Sequence, residues 1–311
     1  MKPRCLVSLL LFFTVANIAA AREWISSDGK KLGADFVSTE NGQVKLKRAN
    51  GQAFTVPLNR LSEADQSWVR LQTPATPATP AAAAGKPIDG PSAKLVTGGW
   101  ELSESDGLKF AFYGEKNLDA AKKYPLVLAL HGKSNNAENG KQVAGWMKSF
   151  TKSDNYSTRP CFILAPMSAQ PEAGEGMGWN GKEVEQVIKL IKTLTKDLPV
   201  DPKRVYIVGH SMGGFGTCHV MASEPRVFAA AIPVAGSSSG DAAELARKPV
   251  WLFHAADDDI VPVAGAREFA EQLKQNKQFK FTESPTGGHG VVGKVFEDPE
   301  THKWLFEQHL K

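Results

Sequence analysis

Residues 204–214 read Arg-Val-Tyr-Ile-Val-Gly-His-Ser-Met-Gly-Gly, and they limit the fold more than any other stretch. A short β-branched run stops at Gly-x-Ser-x-Gly, and a helix-like segment follows. The order is strand, tight turn, helix. Glycines flank the serine because such a turn leaves no room for side chains beside it. The turn strains the serine backbone and lifts Ser211 Oγ above the end of a sheet. The N-terminus of the next helix then favours developing negative charge there. Ser211 is a candidate nucleophile. The competing reading is a glycine-rich turn without chemistry, which the motif by itself does not exclude.

The pattern around the motif supplies the context. From about Lys94 onward, apolar runs of strand length alternate with amphipathic segments. Strands are predicted at 108–113, 125–130, 161–165, 205–208, 230–234, 250–253 and 279–281. Helices are predicted at 141–152, 183–194, after Ser211, at 264–273 and at 300–310. In 141–152 the apolar face is Val143, Trp146, Met147 and Phe150; in 183–194 it is Val184, Val187, Ile188 and Ile191. Continuous apolar strands alternating with helices predict an α/β domain with a mostly parallel sheet covered on both faces. Functional groups in such sheets gather at the carboxyl ends of the strands.

A serine hydroxyl is a poor nucleophile at neutral pH and needs a base, which in turn needs an orienting carboxylate. One predicted strand runs into His254-Ala255-Ala256-Asp257-Asp258-Asp259-Ile260-Val261-Pro262, and the last is followed by Thr286-Gly287-Gly288-His289-Gly290. The chain order is serine, aspartate, histidine, each after a strand. Spacing does not choose among Asp257, Asp258 and Asp259; two of the three are expected to be solvated or helix-capping carboxylates. His289 is preferred as base because its glycine neighbours let it approach closely. His302 and His309 lie on the terminal helix pattern and His219 on the helix after the turn. His131 and His254 fall within other motif positions, and His210 sits inside the turn, badly placed to accept the serine proton. The oxyanion needs preorganised N–H donors. Those expected are the backbone N–H of Met212 and, from the loop His131-Gly132-Lys133-Ser134, that of Lys133, with Gly132 as the fallback. Trp179, in the glycine-rich loop 176–180, is a candidate wall of the substrate pocket, or else an aromatic that anchors its loop.

Other classes fit less well. Gly132-Lys133-Ser134 after a strand imitates the end of a phosphate-binding loop, but Val127 stands where that loop requires glycine. The dinucleotide glycine pattern fails around Ser211 at His219. The formal net charge of +4, with interspersed signs, gives no footprint for nucleic acid. Cys161 and Cys218 read as buried thiols rather than a disulfide, and no zinc-like spacing occurs, so neither a metal nor a cofactor is expected.

The beginning of the chain has its own organisation. Lys2 and Arg4, the apolar run 6–18 and Ala19-Ala20-Ala21 have the form of a signal peptide over 1–21, which predicts a secreted or periplasmic protein. No later segment approaches the length of a membrane span. Residues 22–72 read as a small all-β module, with hairpin turns at Asp28-Gly29, Asn41-Gly42 and Asn50-Gly51 and a short helix capped by Ser62. Residues 73–95 form a Pro/Ala-rich linker, and 96–311 the α/β domain.

Two resemblances follow. On Trp24, Asp28-Gly29, Gly51 and Leu61-Ser62-Glu63-Ala64-Asp65-Gln66, the 22–72 module resembles the homology domain 1 first described in an endocytic adaptor. That is a small Src-homology-3-like barrel, and the resemblance implies an unnamed peptide or surface ligand. From about Trp100 to Lys311 the chain resembles secreted α/β-hydrolases of the polyhydroxybutyrate-depolymerase, feruloyl-esterase and predicted-peptidase group. The carrying segments are 125–132, 208–217, 251–262 and Gly288-His289. The group's His-Gly-x-x-Asp-x-x-Val-Pro pattern would place the catalytic carboxylate on Asp258. Ala255 replaces a usual glycine, Lys133 a usual small residue, and Ser134-Asn135-Asn136 a common glycine-rich continuation. The resemblance implies an exported serine esterase acting through Ser211, Asp258 and His289, on acyl or feruloyl esters of plant polysaccharide or other carboxylic esters. A serine peptidase and a polyester depolymerase are the alternatives within the fold. A non-catalytic binding protein is the alternative outside it.

Overall fold

The computed structural model describes residues 22–40, 43–72, 86–133, 142–168, 178–237 and 241–311. Residues 1–21, expected as a signal peptide, Asn41-Gly42, most of the expected linker, Ser134-Asn135-Asn136 and Gly176-Met177 lie outside the described residues. The chain divides into two compact units, Met1–Ala83 and Ala84–Lys311.

In the first unit, β1 (Arg22–Ile25), β2 (Lys31–Glu40), β3 (Gln43–Lys47) and β4 (Ala53–Pro57) form an antiparallel sheet in the order β1-β2-β3-β4. Strict alternation drives β3: Val44 and Leu46 are buried while Lys45 and Lys47 face water. Helix α1 (Glu63–Gln72) follows, and its Val69 joins Trp24, Ala34, Val44, Leu46 and Leu61 in a small core. Ser62 Oγ accepts from the Asp65 N–H at 3.2 Å and donates to Asp65 Oδ2 at 3.0 Å. The same buried carboxylate accepts from Arg22 at 2.7 Å and from the Ile25 N–H at 2.7 Å, so one side chain ties β1 to α1. The sheet is open among the described residues. Its two ends meet at an isolated bridge, Ser26 with Leu61, rather than in a barrel-closing ladder.

The second unit holds an eight-stranded sheet in the order β12-β11-β10-β9-β7-β8-β6-β5. Its strands are β5 (Trp100–Ser105), β6 (Leu108–Tyr113), β7 (Tyr124–Leu130), β8 (Phe162–Pro166), β9 (Val200–His210), β10 (Ala230–Val234), β11 (Val250–Ala255) and β12 (Phe279–Ser284). β5, β6 and β8 pair antiparallel, and every other neighbouring pair is parallel. All seven residues of β7 are buried, as expected for a strand covered on both faces. The helices are α2 (Ser153–Thr158), α3 (Gly181–Asp197), α4 (Met212–Ser223), α5 (Ala242–Leu245), α6 (Ala264–Gln272), α7 (Val292–Glu297) and α8 (Pro299–Glu307). α3 buries Val184, Val187, Ile188, Ile191 and Leu194 at helical spacing. The segment expected as a helix over 141–152 is instead a 3-10 stretch, Gly145–Thr151, that turns extended at Lys152 before α2. Trp146, Met147 and Phe150 are buried in either geometry, so periodicity could not separate the two.

Cys161 and Cys218 are both buried, and burial pushes the Cys161 thiol far above its ordinary pKa. Among the described residues, no helix is long and apolar enough to cross a membrane, and no cluster of three or more His, Cys, Asp or Glu could hold a metal.

Candidate active site

β9 ends at His210 and α4 begins at Met212, so the whole change of direction falls on Ser211. Its backbone sits at φ 57° and ψ −119°, a conformation that costs a non-glycine residue about 1–3 kcal/mol. The motif glycines allow it. A Cβ on Gly209 would collide with the Gly213 carbonyl, and one on Gly213 with the Leu130 carbonyl. The loop after β7 passes alongside: a Cβ on Gly132 would stand 3.6 Å from Ser211 Cβ. Met212, in the first turn of α4, has no intrahelical acceptor for its N–H.

β11 ends at Ala255, and the aspartates that follow separate into three roles. Asp258 has a buried side chain whose Oδ1 accepts from the N–H groups of Ile260 (3.0 Å) and Val261 (2.9 Å). Its oxygens lie 3.1 and 2.9 Å from His289 Nδ1. His289 Nε2 lies 2.8 Å from Ser211 Oγ. A carboxylate accepts only, so Nδ1 carries the proton and the Nε2 lone pair faces the hydroxyl. Burial works to raise the Asp258 pKa, but Val261, His289 and Ile260 outweigh it and hold the carboxyl below its ordinary value. Asp257 is exposed and accepts from the N–H groups of Gly288 (2.7 Å) and Gly287 (3.2 Å), which carry His289; chiefly the Gly288 bond lowers its pKa. Asp259 is exposed to solvent.

The other histidines, His219 apart, contact backbone. His210 Nε2–H donates to the His289 carbonyl at 2.7 Å, with the rings 4.8 Å apart, and burial holds this imidazole below its ordinary pKa. His254, fully buried, donates from Nε2 to the Val261 carbonyl at 2.8 Å, with Asp258 Oδ2 at 3.3 Å. His131 Nε2 accepts the Ser168 N–H at 3.1 Å, so its protonated Nδ1 donates to the Gly132 carbonyl at 2.8 Å. That ring fixes the entrance of the Gly132-Lys133 loop. His302 donates to the Phe296 carbonyl under α7, and His219 faces Asp241.

A cavity of about 440 Å³ opens at Ser211 and His289, with Met212, Phe215, Ile260 and Val261 as its apolar wall and Gly132-Lys133 as its other side. Met212 and Lys133, the two expected oxyanion donors, thus both border the serine. Trp179 does not line it. The Trp179 ring is 1 % exposed, packs edge-on against His131 at 5.2 Å and fills the space beside Gly216 of α4. The expectation of a pocket wall is corrected: Trp179 is a core residue that supports α4 and His131. The sequence offers Asp257 as one of three candidate carboxylates and His210 as a poorly placed base, but it does not signal their bonds to the His289 loop. Their partners lie 31 and 79 positions away, and no local spacing signals such a bond.

The prolyl oligopeptidase family model matches residues 174–243, which include the Ser211 turn, and the SLA1 homology domain 1 model matches 14–76. A bifunctional acetylxylan esterase/xylanase of Neocallimastix patriciarum is 29% identical over 168 residues, covering 52% of this chain and 23% of that protein. A probable feruloyl esterase C of Aspergillus flavus is 25% identical over 192 residues, covering 58% of this chain and 67% of that one. A solved thermostable esterase superposes with a TM-score of 0.62 at 29% identity, over 68% of this chain and 63% of the other. The chain spans less than a quarter of the first of these relatives. The second unit has the α/β-hydrolase fold, and the relatives named above carry esterase names.

Proposed function

We propose that the protein is an exported serine hydrolase that cleaves carboxylic esters through an acyl-enzyme. One observation carries the reading: an unbroken hydrogen-bond chain from the Asp258 carboxylate through His289 to Ser211 Oγ, at 2.9 and 2.8 Å. Ser211 Oγ attacks the ester carbonyl as its proton passes to His289 Nε2, and the imidazolium stays paired with Asp258. Negative charge on the carbonyl oxygen meets the N–H groups of Met212 and Lys133. Collapse expels the alcohol, which takes the proton from Nε2. Water then repeats the sequence, with His289 as base, to release the acid and restore the serine. Asp257 and His210 hold the His289 backbone in register from its two sides.

The esterase relatives support acyl or feruloyl groups on plant polysaccharide as the substrate class. The prolyl oligopeptidase match around Ser211 favours a second reading, peptide hydrolysis by the same trio. A binding role for residues 22–72, towards a peptide or surface, rests on the homology domain 1 match. The test is hydrolysis of 4-nitrophenyl acetate, feruloyl esters and aminopeptide anilides by wild type and Ser211→Ala. Ester turnover lost in the variant is the expected result. Turnover near wild type in Ser211→Ala would end the proposal, and turnover of anilides alone would select the peptidase.

A further inference from the structure

Apart from the imidazoles, the cavity at Ser211 presents one titratable lining residue among the described residues, Lys133, and no lining carboxylate among them. Asp258, beneath it, is buried at the side chain and engaged by His289 and two N–H groups. Lys133 is exposed, and among the described residues it takes part in no ion pair. The opposite wall is apolar and ends in Ile260, which is 67 % exposed.

Sheet order decides which end of an ester meets which wall. Ser211 follows β9; Lys133 follows β7, its neighbour on one side. Ile260 and His289 follow β11 and β12 on the other side. The departing alcohol must face His289 Nε2 to receive its proton, so it lies towards Ile260. The carbonyl oxygen takes the β7 side, at the Met212 and Lys133 N–H groups, and the acyl chain lies between it and the apolar wall, in the cavity that the Lys133 side chain also lines. Resting on the esterase reading above, we infer that Lys133 selects esters whose acyl part ends in a carboxylate, half-esters of dicarboxylic acids being the simplest members. A carboxylate there meets a cation that takes part in no ion pair among the described residues, across the cavity from the apolar wall.

The experiment compares mono-(4-nitrophenyl) glutarate with 4-nitrophenyl valerate, which share leaving group and chain length and differ in the terminal charge. Wild type is expected to favour the glutarate about three- to ten-fold in kcat/KM at low salt, the worth of one partly screened ion pair. The preference falls towards unity near 0.5 M salt, where the Debye length is about 4 Å. Lys133→Arg keeps the ratio, Lys133→Ala brings it close to one and Lys133→Glu inverts it, with melting temperature reporting that each variant is folded. A wild-type ratio of one, or a ratio that Lys133→Glu leaves unmoved, would overturn the inference. So would an equal loss on both esters, since a cation serving only the oxyanion does not distinguish acyl groups. In all three outcomes the wild-type protein still hydrolyses the valerate through Ser211, so the esterase reading stands. Failure of wild type to turn over either ester removes that reading and this one together.

Discussion

Asp258→Asn is the substitution for which the structure makes the sharpest forecast. Oδ1 is fixed as an acceptor by the N–H groups of Ile260 and Val261, so the asparagine oxygen must take its place. The amide nitrogen is then forced onto the Oδ2 position, which faces His289 Nδ1 at 2.9 Å and His254 Nε2 at 3.3 Å. Two N–H groups cannot point at each other. The His289 ring answers by moving its proton to Nε2 and accepting from the amide at Nδ1. It then presents a proton, not a lone pair, to Ser211 Oγ at 2.8 Å. The nucleophile loses its base although no atom has moved far. The expected loss in kcat is about 10³- to 10⁴-fold, about 4–5.5 kcal/mol of barrier. KM changes little, because the substituted atom does not touch substrate. Steady-state hydrolysis of 4-nitrophenyl acetate at pH 8 measures it, beside a thermal melt showing the fold retained. The reasoning is refuted if Asp258→Asn stays within ten-fold of wild type while Asp257→Asn collapses, for the two carboxylates would then have exchanged roles.

Asp257→Ala releases the Gly287 and Gly288 N–H groups to water rather than stranding them. It should lower kcat about three- to ten-fold with KM and melting temperature nearly unchanged, and a loss as deep as that of Asp258→Asn would show this account of the loop to be wrong. His210→Ala removes the donor to the His289 carbonyl and should cost about five- to twenty-fold in kcat; His210→Gln, which can place an amide N–H there, should recover most of it, and equal activity in the two variants would exclude the positioning role. Burial depresses the pKa of His131, His210 and His302, so the unfolded chain takes up protons that the folded one refuses as pH falls below about 6.5. Stability is then lost on acidification by up to about 1.4 kcal/mol per pH unit per imidazole until each folded pKa is reached. Urea midpoints between pH 7.5 and 5 read the slope, which His302→Gln should flatten; a midpoint that holds steady or rises on acidification would contradict the assignment.

What the sequence makes legible here follows from how far each interaction reaches. Strands such as β7 and β10 stand out as apolar runs because both faces are buried, and that property is local. Edge strand β5 escapes notice because it is half wet: Leu102 is 55 % exposed and its neighbours are serines and glutamates. The Ser211 turn announces itself through glycines whose neighbours are carbonyls within a few residues or on the adjoining strand. Trp179 is the opposite case. Its glycine-rich surroundings suggest an open loop, and only the meeting of that loop with α4 and His131 places the ring in the core.

The aspartate run shows the same boundary at the site itself. Asp257, Asp258 and Asp259 are chemically identical and adjacent, so no periodicity separates them. What does separate them is the turn after β11. It aims Asp258 inward against two N–H groups and His289, Asp257 sideways to the backbone of the His289 loop, and Asp259 to solvent. The division is physically economical. A base that must hold one orientation through two proton transfers needs both its ring and its backbone fixed. Here Asp258 holds the ring while Asp257 and His210 hold the backbone on either side of it. On this argument, losing either backbone tether should broaden the distance between Nε2 and Ser211 Oγ rather than abolish the contact. The Asp257→Ala, His210→Ala double variant should therefore lose more activity than the product of the two single losses. Simple multiplication would show that each tether acts alone.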